Sequence, residues 1–154
     1  MENPYAKLKF RVKAACRIVG IDPQRFNEAV AAGHYGCAPE VARGATRLMD
    51  YNDLVALFFY RTFLDQEFPP RLAGLYACRI RSRLDDLAED EGDVMLLRYF
   101  NNRGEVLVEN RLPANQRPPR AEGLLQRFSF DVVAARQVLD KLIAEELSII
   151  GEDD

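Results

Sequence analysis

The sequence lacks the features that mark a membrane protein or a secreted protein. No apolar run approaches the roughly 18 residues that are needed to cross a bilayer. The segment 1–10, MENPYAKLKF, contains no apolar core of a signal peptide. The chain has 154 residues, which is enough to bury one core or two small ones. These absences predict a cytoplasmic protein without a membrane partner.

Cysteine is scarce and its spacing is irregular. Cys16, Cys37 and Cys78 form no C-x-x-C pair. An odd number without a framework argues against a disulfide scaffold and favours reduced thiols. His34 lies three residues before Cys37, which makes at most half of a metal site, and a polar loop residue is the alternative. Because Cys16 and Cys78 lie on predicted helix faces, we expect core cysteines, no bound metal and no other cofactor.

Catalytic motifs are also missing. The sequence has one histidine, no Gly-rich phosphate loop and no G-x-S-x-G motif. The acidic run over 85–91 supplies carboxylates, but a solvated helix end explains that run better than a pair of catalytic acids does. We therefore predict that the protein is not an enzyme, with a carboxylate-only hydrolase as the weakest alternative.

Charge is divided unevenly along the chain, although the formal net charge is only −3. Residues 1–83 contain 13 Lys and Arg against 8 Asp and Glu, a net charge of +5, whereas residues 84–154 carry −8. The local field, rather than the total charge, governs encounter with phosphates. The first half is therefore compatible with a nucleic-acid partner, and the acidic second half would repel one.

The segment 12–33, VKAACRIVGIDPQRFNEAVAAG, predicts a helix, a tight turn and a second helix over 23–32. Gly20 permits the turn, Asp22 can cap the second helix, and Pro23 suits its first position. The apolar side chains of the second helix share one face, which leaves a polar face composed of Gln24, Arg25, Asn27 and Glu28. A helix-turn-helix presents such a face to the DNA major groove, and a plain helical hairpin is the alternative.

The segment after this pair is rich in glycine and predicts two short extended pieces, around Val41 and around 46–48. A β wing over 36–48 would fit this pattern and would place Arg43 and Arg47 near phosphates. An irregular surface loop is the alternative. Residues 1–8 are predicted to form a loose arm. Lys13 belongs to an alternating basic stretch that leads into the first helix and is a further candidate for a DNA contact.

The rest of the chain predicts a helix pair followed by a β-hairpin and a last helix. The helix pair covers about 51–64, with Asp50 as its cap and Asp53 three residues on, and about 70–89, with Leu75 on the inward face. The strands of the hairpin cover 94–100 and 105–112 and flank a turn that contains asparagine and glycine. The remaining predictions are a loop over 113–123, a short strand over 128–130, and a helix over about 132–147 capped by Asp131.

The order of these parts resembles the DNA-binding domain of the MerR family of transcription regulators. The matching segments are 15–21, ACRIVGI, then PQRF at 23–26, Gly33, and RLMDYNDL at 47–54. The resemblance covers residues 9–85 and implies a winged helix-turn-helix that binds double-stranded DNA sequence-specifically as a homodimer. The resemblance also implies that the four polar residues of the second helix lie in the DNA major groove and that the two arginines of the wing contact the DNA phosphate backbone.

The sequence also departs from the family pattern. Only one aromatic residue stands in 26–28, the wing segment lacks Gly-Tyr-Arg, and the long dimerisation helix is absent because Gly92 ends the helical pattern. Excisionases and small phage DNA-packaging proteins share the winged fold, so an architectural DNA-binding role is an alternative.

Together these features predict an α+β fold, mostly α. A winged helix-turn-helix domain with its helix pair would occupy 1–91. A small hairpin-and-helix domain for dimerisation or partner binding would occupy 92–154. The predicted function is that of a sequence-specific DNA-binding regulator, and a protein-interaction adaptor that reuses the winged fold is the alternative.

Overall fold

The computed structural model describes residues 3–86, 93–101, 104–112 and 124–150. Within these ranges the chain forms five helices and two small antiparallel sheets, a mixed α+β fold that is mostly helical. The elements in chain order are β1 (Phe10–Arg11), α1 (Val12–Val19), α2 (Pro23–Ala31), β2 (Leu48–Met49), α3 (Tyr51–Asp65), α4 (Pro70–Leu84), β3 (Asp93–Asn101), β4 (Gly104–Leu112), β5 (Leu124–Asp131) and α5 (Val132–Ile150). None of the described helices is long and apolar enough to cross a membrane.

The start of α3 is fixed by a reciprocal capping box. The Asp50 carboxylate accepts a hydrogen bond from the Asp53 backbone N–H at 2.8 Å. The Asp53 carboxylate in turn accepts one from the Asp50 N–H at 2.9 Å. Two backbone donors at the helix start are thereby satisfied by side chains. The predicted cap at Asp50 is confirmed.

The helix α4 is shorter than predicted, and one residue of its predicted inward face is exposed. It ends at Leu84 rather than near 89, and residues 87–92 lie outside the described part of the chain. The prediction that Leu75 faces inward is wrong, since this side chain is 43% exposed. The packed side of α4 contains small residues beside the buried Tyr76, Ile80 and Leu84. An ideal Cβ on Gly74 would lie 1.7 Å from the His34 carbonyl oxygen, so this glycine permits the close approach of the two backbones.

A mostly buried arginine of α4 ties the beginning of α3 to the end of α4. The Nε of Arg81 lies 2.9 Å from Asp53 Oδ1, its Nη1 lies 3.0 Å from Asp85 Oδ1, and its Nη2 lies 3.6 Å from Asp50 Oδ2. Burial raises the pKa of Asp53, while the Asp50 N–H and the Arg81 guanidinium oppose that rise. A hydrogen bond from the Asn52 amide, and then the Arg81 charge, lower the pKa of Asp85. Asp50, Asp53 and Asp85 are therefore all ionic partners of Arg81.

The larger sheet has the strand order β4-β3-β5, with both outer strands antiparallel to β3. The predicted hairpin is confirmed as β3 and β4, and the predicted third strand is confirmed as a longer β5.

Val94 pairs with Phe130 and Leu96 pairs with Phe128, so these four side chains share one face of the sheet. That face packs on the helices through aromatic contacts. The Phe130 ring lies 5.7 Å from Phe59, between ring centroids.

The last helix packs against the first half of the chain. Leu139 and Ile143 of α5 are fully buried in the same apolar core as residues of α1 and α3. The Tyr51 hydroxyl donates a hydrogen bond to Asp140 Oδ1 at 2.7 Å. The predicted loose arm is wrong at Asn3, whose amide donates to the same Asp140 carboxylate at 3.2 Å. The predicted boundary at 91–92 lies outside the described residues, and the described residues on its two sides share one core.

Candidate nucleic-acid interface

The turn between α1 and α2 is built as the sequence predicts. Gly20 adopts a φ of +83°, which favours glycine, and its N–H donates to the Cys16 carbonyl at 2.8 Å. Asp22 then caps α2 by accepting a hydrogen bond from the Gln24 N–H at 3.0 Å. Pro23 occupies the first helical position. The two helices are therefore joined by three residues whose conformations follow from local chemistry.

The α2 helix buries one side and exposes the other. Phe26 and Ala29 are buried against the core. The four residues predicted to face a DNA groove are all exposed: Gln24, Arg25, Asn27 and Glu28. The Gln24 amide donates to Glu28 Oε1 at 3.2 Å, across one helical turn. The exposed polar face of α2 is thus available to a binding partner.

Edge-to-face contacts between aromatic rings hold α2 in place. The Tyr35 ring packs edge-on between Phe26 and Tyr60, with centroid distances of 5.2 Å and 5.1 Å. Burial raises the pKa of the Tyr35 hydroxyl far above its ordinary value. Burial also raises the pKa of Tyr60, and the positive charge of Arg25 opposes that rise. The exposed Arg25 therefore belongs to a helix that rests on a packed aromatic base.

The segment after α2 differs from the predicted wing. No strand forms around Val41, so that predicted extended piece is wrong, whereas the piece predicted around 46–48 is present in part as β2. The strand β2 pairs instead with β1, with Phe10 opposite Met49 and Arg11 opposite Leu48. The physical reason is that a β-strand needs a partner, and the basic stretch before α1 supplies it. What projects from this strand pair is a loop over 38–47.

The two arginines of this loop have different surroundings. Arg43 is exposed and precedes Gly44, whose φ of +82° makes the loop turn. Arg47 is half-buried, and its Nη1 donates a hydrogen bond to the Pro39 carbonyl. Arg47 therefore braces the base of the loop from inside, which its predicted role on the phosphate backbone did not foresee.

A disulfide fixes the start of the loop to α4. Cys37 and Cys78 are bonded, with a Cα–Cα distance of 5.4 Å, and the Cys37 N–H lies 3.2 Å from the Cys78 sulfur. The expectation of reduced thiols is therefore wrong for these two residues. Only Cys16 is a free thiol, and it is buried in α1 as predicted. This pairing was not predictable from a motif, because a loop cysteine and a helix cysteine 41 residues apart match none.

The basic residues of the N-terminal half lie mostly at the surface. Lys13 is exposed on α1, as are Lys9 and Arg11 just before it. Arg17 lies 2.7 Å from the carboxylate of Glu146 on α5, so part of its charge is balanced. Lys13 therefore remains a candidate for a phosphate contact, whereas Arg17 forms an ion pair with Glu146 of α5.

Metal chemistry has no support in the described ranges, where no group of three or more histidine, cysteine or acidic residues could hold an ion. The predicted loop over 113–123 lies outside those ranges. No protein-family model matches this chain, and no curated protein matches it.

Proposed function

We propose that this protein binds double-stranded DNA through a winged helix-turn-helix and acts as a sequence-specific regulator of transcription. The observation that carries the proposal is the polar face of α2, where Arg25 and Asn27 stand exposed on a helix whose opposite face is fully packed. A recognition helix needs this combination, because base readout requires free polar side chains on a rigid base. The resemblance to the MerR DNA-binding domain supports the same assignment.

In this proposal, affinity and sequence choice come from different residues. Lys13 and Arg43 are exposed cations that contact phosphates, which provides most of the affinity and makes it depend on salt. Arg25, Asn27 and their neighbours on α2 contact base edges in the major groove. The loop over 38–47 serves as the wing, although it contains no hairpin of its own.

The proposed oligomeric state is a homodimer, as the family resemblance implies. The C-terminal part supplies the dimer contacts and keeps its acidic residues away from the duplex. Two copies would read two half-sites about one helical turn of DNA apart, so a selected binding site should be a palindrome. Sites recovered from a random DNA pool test this arrangement directly. An adaptor that reuses the same fold would recover no specific site, even at low salt.

Arg25→Ala is expected to remove sequence discrimination. A good arginine contact to a base contributes roughly 1–3 kcal/mol of discrimination, so we expect the ratio of specific to non-specific affinity to fall about tenfold or more. Fluorescence anisotropy with the selected site and a scrambled duplex measures this ratio. Arg71→Ala on the exposed side of α4 removes the same charge elsewhere and serves as the matched control. An unchanged ratio in the Arg25 variant would show that Arg25 on α2 does not read bases in the major groove.

Arg47→Ala is expected to weaken binding to every DNA sequence alike. The variant loses a cation near the backbone and also the brace on the Pro39 carbonyl, so the loop that bears Arg43 is less ordered before binding. Arg43→Ala is the matched comparison, because it removes an exposed cation and leaves the brace. Salt titrations of both variants should show a shallower dependence, by about one phosphate contact each. A loss confined to the selected site in either variant would contradict the backbone assignment.

A further inference from the structure

The loop over 38–47 packs against the core at Ala38 and is exposed over 40–46. Within the described residues, its contacts include the Arg47 hydrogen bond to Pro39 and a turn in which the Ala45 N–H donates to the Ala42 carbonyl at 2.9 Å. Both contacts lie within the segment 39–47 itself. The Cys37–Cys78 disulfide is the covalent link between the start of this segment and α4. That bond therefore restrains the start of the loop, while the pairing of β2 with β1 holds its end.

The disulfide is reachable from two sides of the surface. A cavity of about 440 Å³ is lined by both cysteines together with Lys9 and Ser82. A second cavity of about 610 Å³, on the side of Leu75, is lined by Cys78. Each cavity has room for a small thiol, and thiol–disulfide exchange requires such access to a sulfur.

The third cysteine takes no part in this exchange. Cys16 is fully buried in α1. Burial, together with the nearby Asp22 carboxylate, raises the pKa of its thiol to about 12, so it carries almost no thiolate at neutral pH. Reduction of the Cys37–Cys78 bond therefore yields two thiols whose only nearby exchange partners are each other.

We propose that Cys37–Cys78 is a redox-active disulfide that exchanges with dithiols and controls the order of the 38–47 loop. In the forward step, one thiolate of the dithiol attacks a protein sulfur and breaks the S–S bond. The second thiol of the reagent then displaces the protein sulfur from the mixed disulfide. The protein gains two electrons and two protons, and the dithiol becomes a disulfide. The control of DNA affinity that follows rests on the proposed function, since the loop bears Arg43 and Arg47.

Dithiothreitol applied to the full-length protein tests the exchange and the loop together. We expect two thiols per chain to become titratable while the protein stays folded by circular dichroism. Amide hydrogen exchange over 40–47 should then accelerate about tenfold or more, because the disulfide no longer restrains local opening of the segment. Reoxidation should restore both readouts. Resistance of the bond to reduction until the protein unfolds, or unchanged amide exchange after reduction, would overturn the proposal.

Paired variants separate the switch from general stability. The double variant Cys37→Ala, Cys78→Ala should show fast loop exchange in both redox conditions. Cys16→Ala removes the buried thiol and should keep the full redox response. The oxidised and reduced wild-type proteins give the same comparison without substitution, so a variant that does not fold leaves the test intact.

DNA affinity provides the last readout. We expect the selected duplex to bind roughly tenfold more weakly after reduction, because an unordered loop must be ordered on binding. Equal affinity in the two states, with a loop that does loosen, would overturn the control of DNA binding. No DNA binding in either state would reject the proposed function, while the thiol and exchange measurements would still decide whether the disulfide governs the loop.

Discussion

Gly74→Ala is expected to destabilise the protein by about 3 kcal/mol, at the upper end of overpacking substitutions. The added methyl would lie 1.7 Å from the His34 carbonyl oxygen and 2.7 Å from its carbon. Both neighbours are backbone atoms, so no side chain can rotate away. The helix propensity of alanine recovers only about 1 kcal/mol of this cost. Urea denaturation followed by circular dichroism measures the difference.

Gly36 provides the matched control for that substitution. An ideal Cβ at Gly36 has no atom within 4 Å, and its φ is not positive. We expect Gly36→Ala to change the free energy of unfolding by less than about 0.5 kcal/mol. Equal stabilities of the two alanine variants would show that α4 does not pack on the His34–Tyr35 backbone in solution.

Arg81→Met is expected to cost about 3–5 kcal/mol, the range for breaking a buried ion pair on one side. The substitution keeps an aliphatic stem but leaves the Asp53 carboxylate, a buried group of α3, without its guanidinium partner. Arg71→Met on the exposed face of the same helix is the control and should be nearly neutral. Thermal and urea unfolding of both variants measure the difference. A loss below about 1 kcal/mol would mean that the arginine contacts are as weak as surface pairs.

The Arg81 variant should also respond to pH differently from the wild-type protein. Burial already raises the pKa of Asp53, and loss of the guanidinium removes an influence that lowers it. A folded-state pKa above the unfolded value gives stability that is present below the unfolded pKa and is lost as pH rises through the folded pKa. The deficit of the variant should therefore shrink as pH falls from 7 towards 4. A deficit that grows on acidification would contradict the burial of an unpaired carboxylate.

The α1–α2 pair was predictable because its signals are local. Gly20 marks the turn, Asp22 the cap, and the spacing of Phe26 and Ala29 the buried face of α2. The exposure of Arg25 follows from the same periodicity. Whether that face contacts DNA stays a prediction, since exposure is a condition for binding and not a measurement of it.

The parts that sequence reasoning missed depend on contacts between distant residues. The strand partner of Leu48–Met49 is Phe10–Arg11, which is separated from it in the sequence by α1 and α2. Nothing in 36–48 indicates this pairing. The bond between Cys37 and Cys78 arises in the same way, from the close packing of α4 at Gly74 on the His34–Tyr35 backbone. Local patterns identify elements well, but they do not name the neighbours of those elements.

The contact of α5 with α1 and α3 has a consequence for how the chain folds during synthesis. The first helices leave the ribosome more than a hundred residues before the helix that covers them, as the distance from Arg17 to Glu146 along the chain illustrates. The apolar faces that α5 covers therefore stay exposed to solvent while the strands of the sheet are synthesised. During that time the nascent chain can bind chaperones or aggregate. Because such long-range closure slows folding, the native core forms only after translation has passed α5.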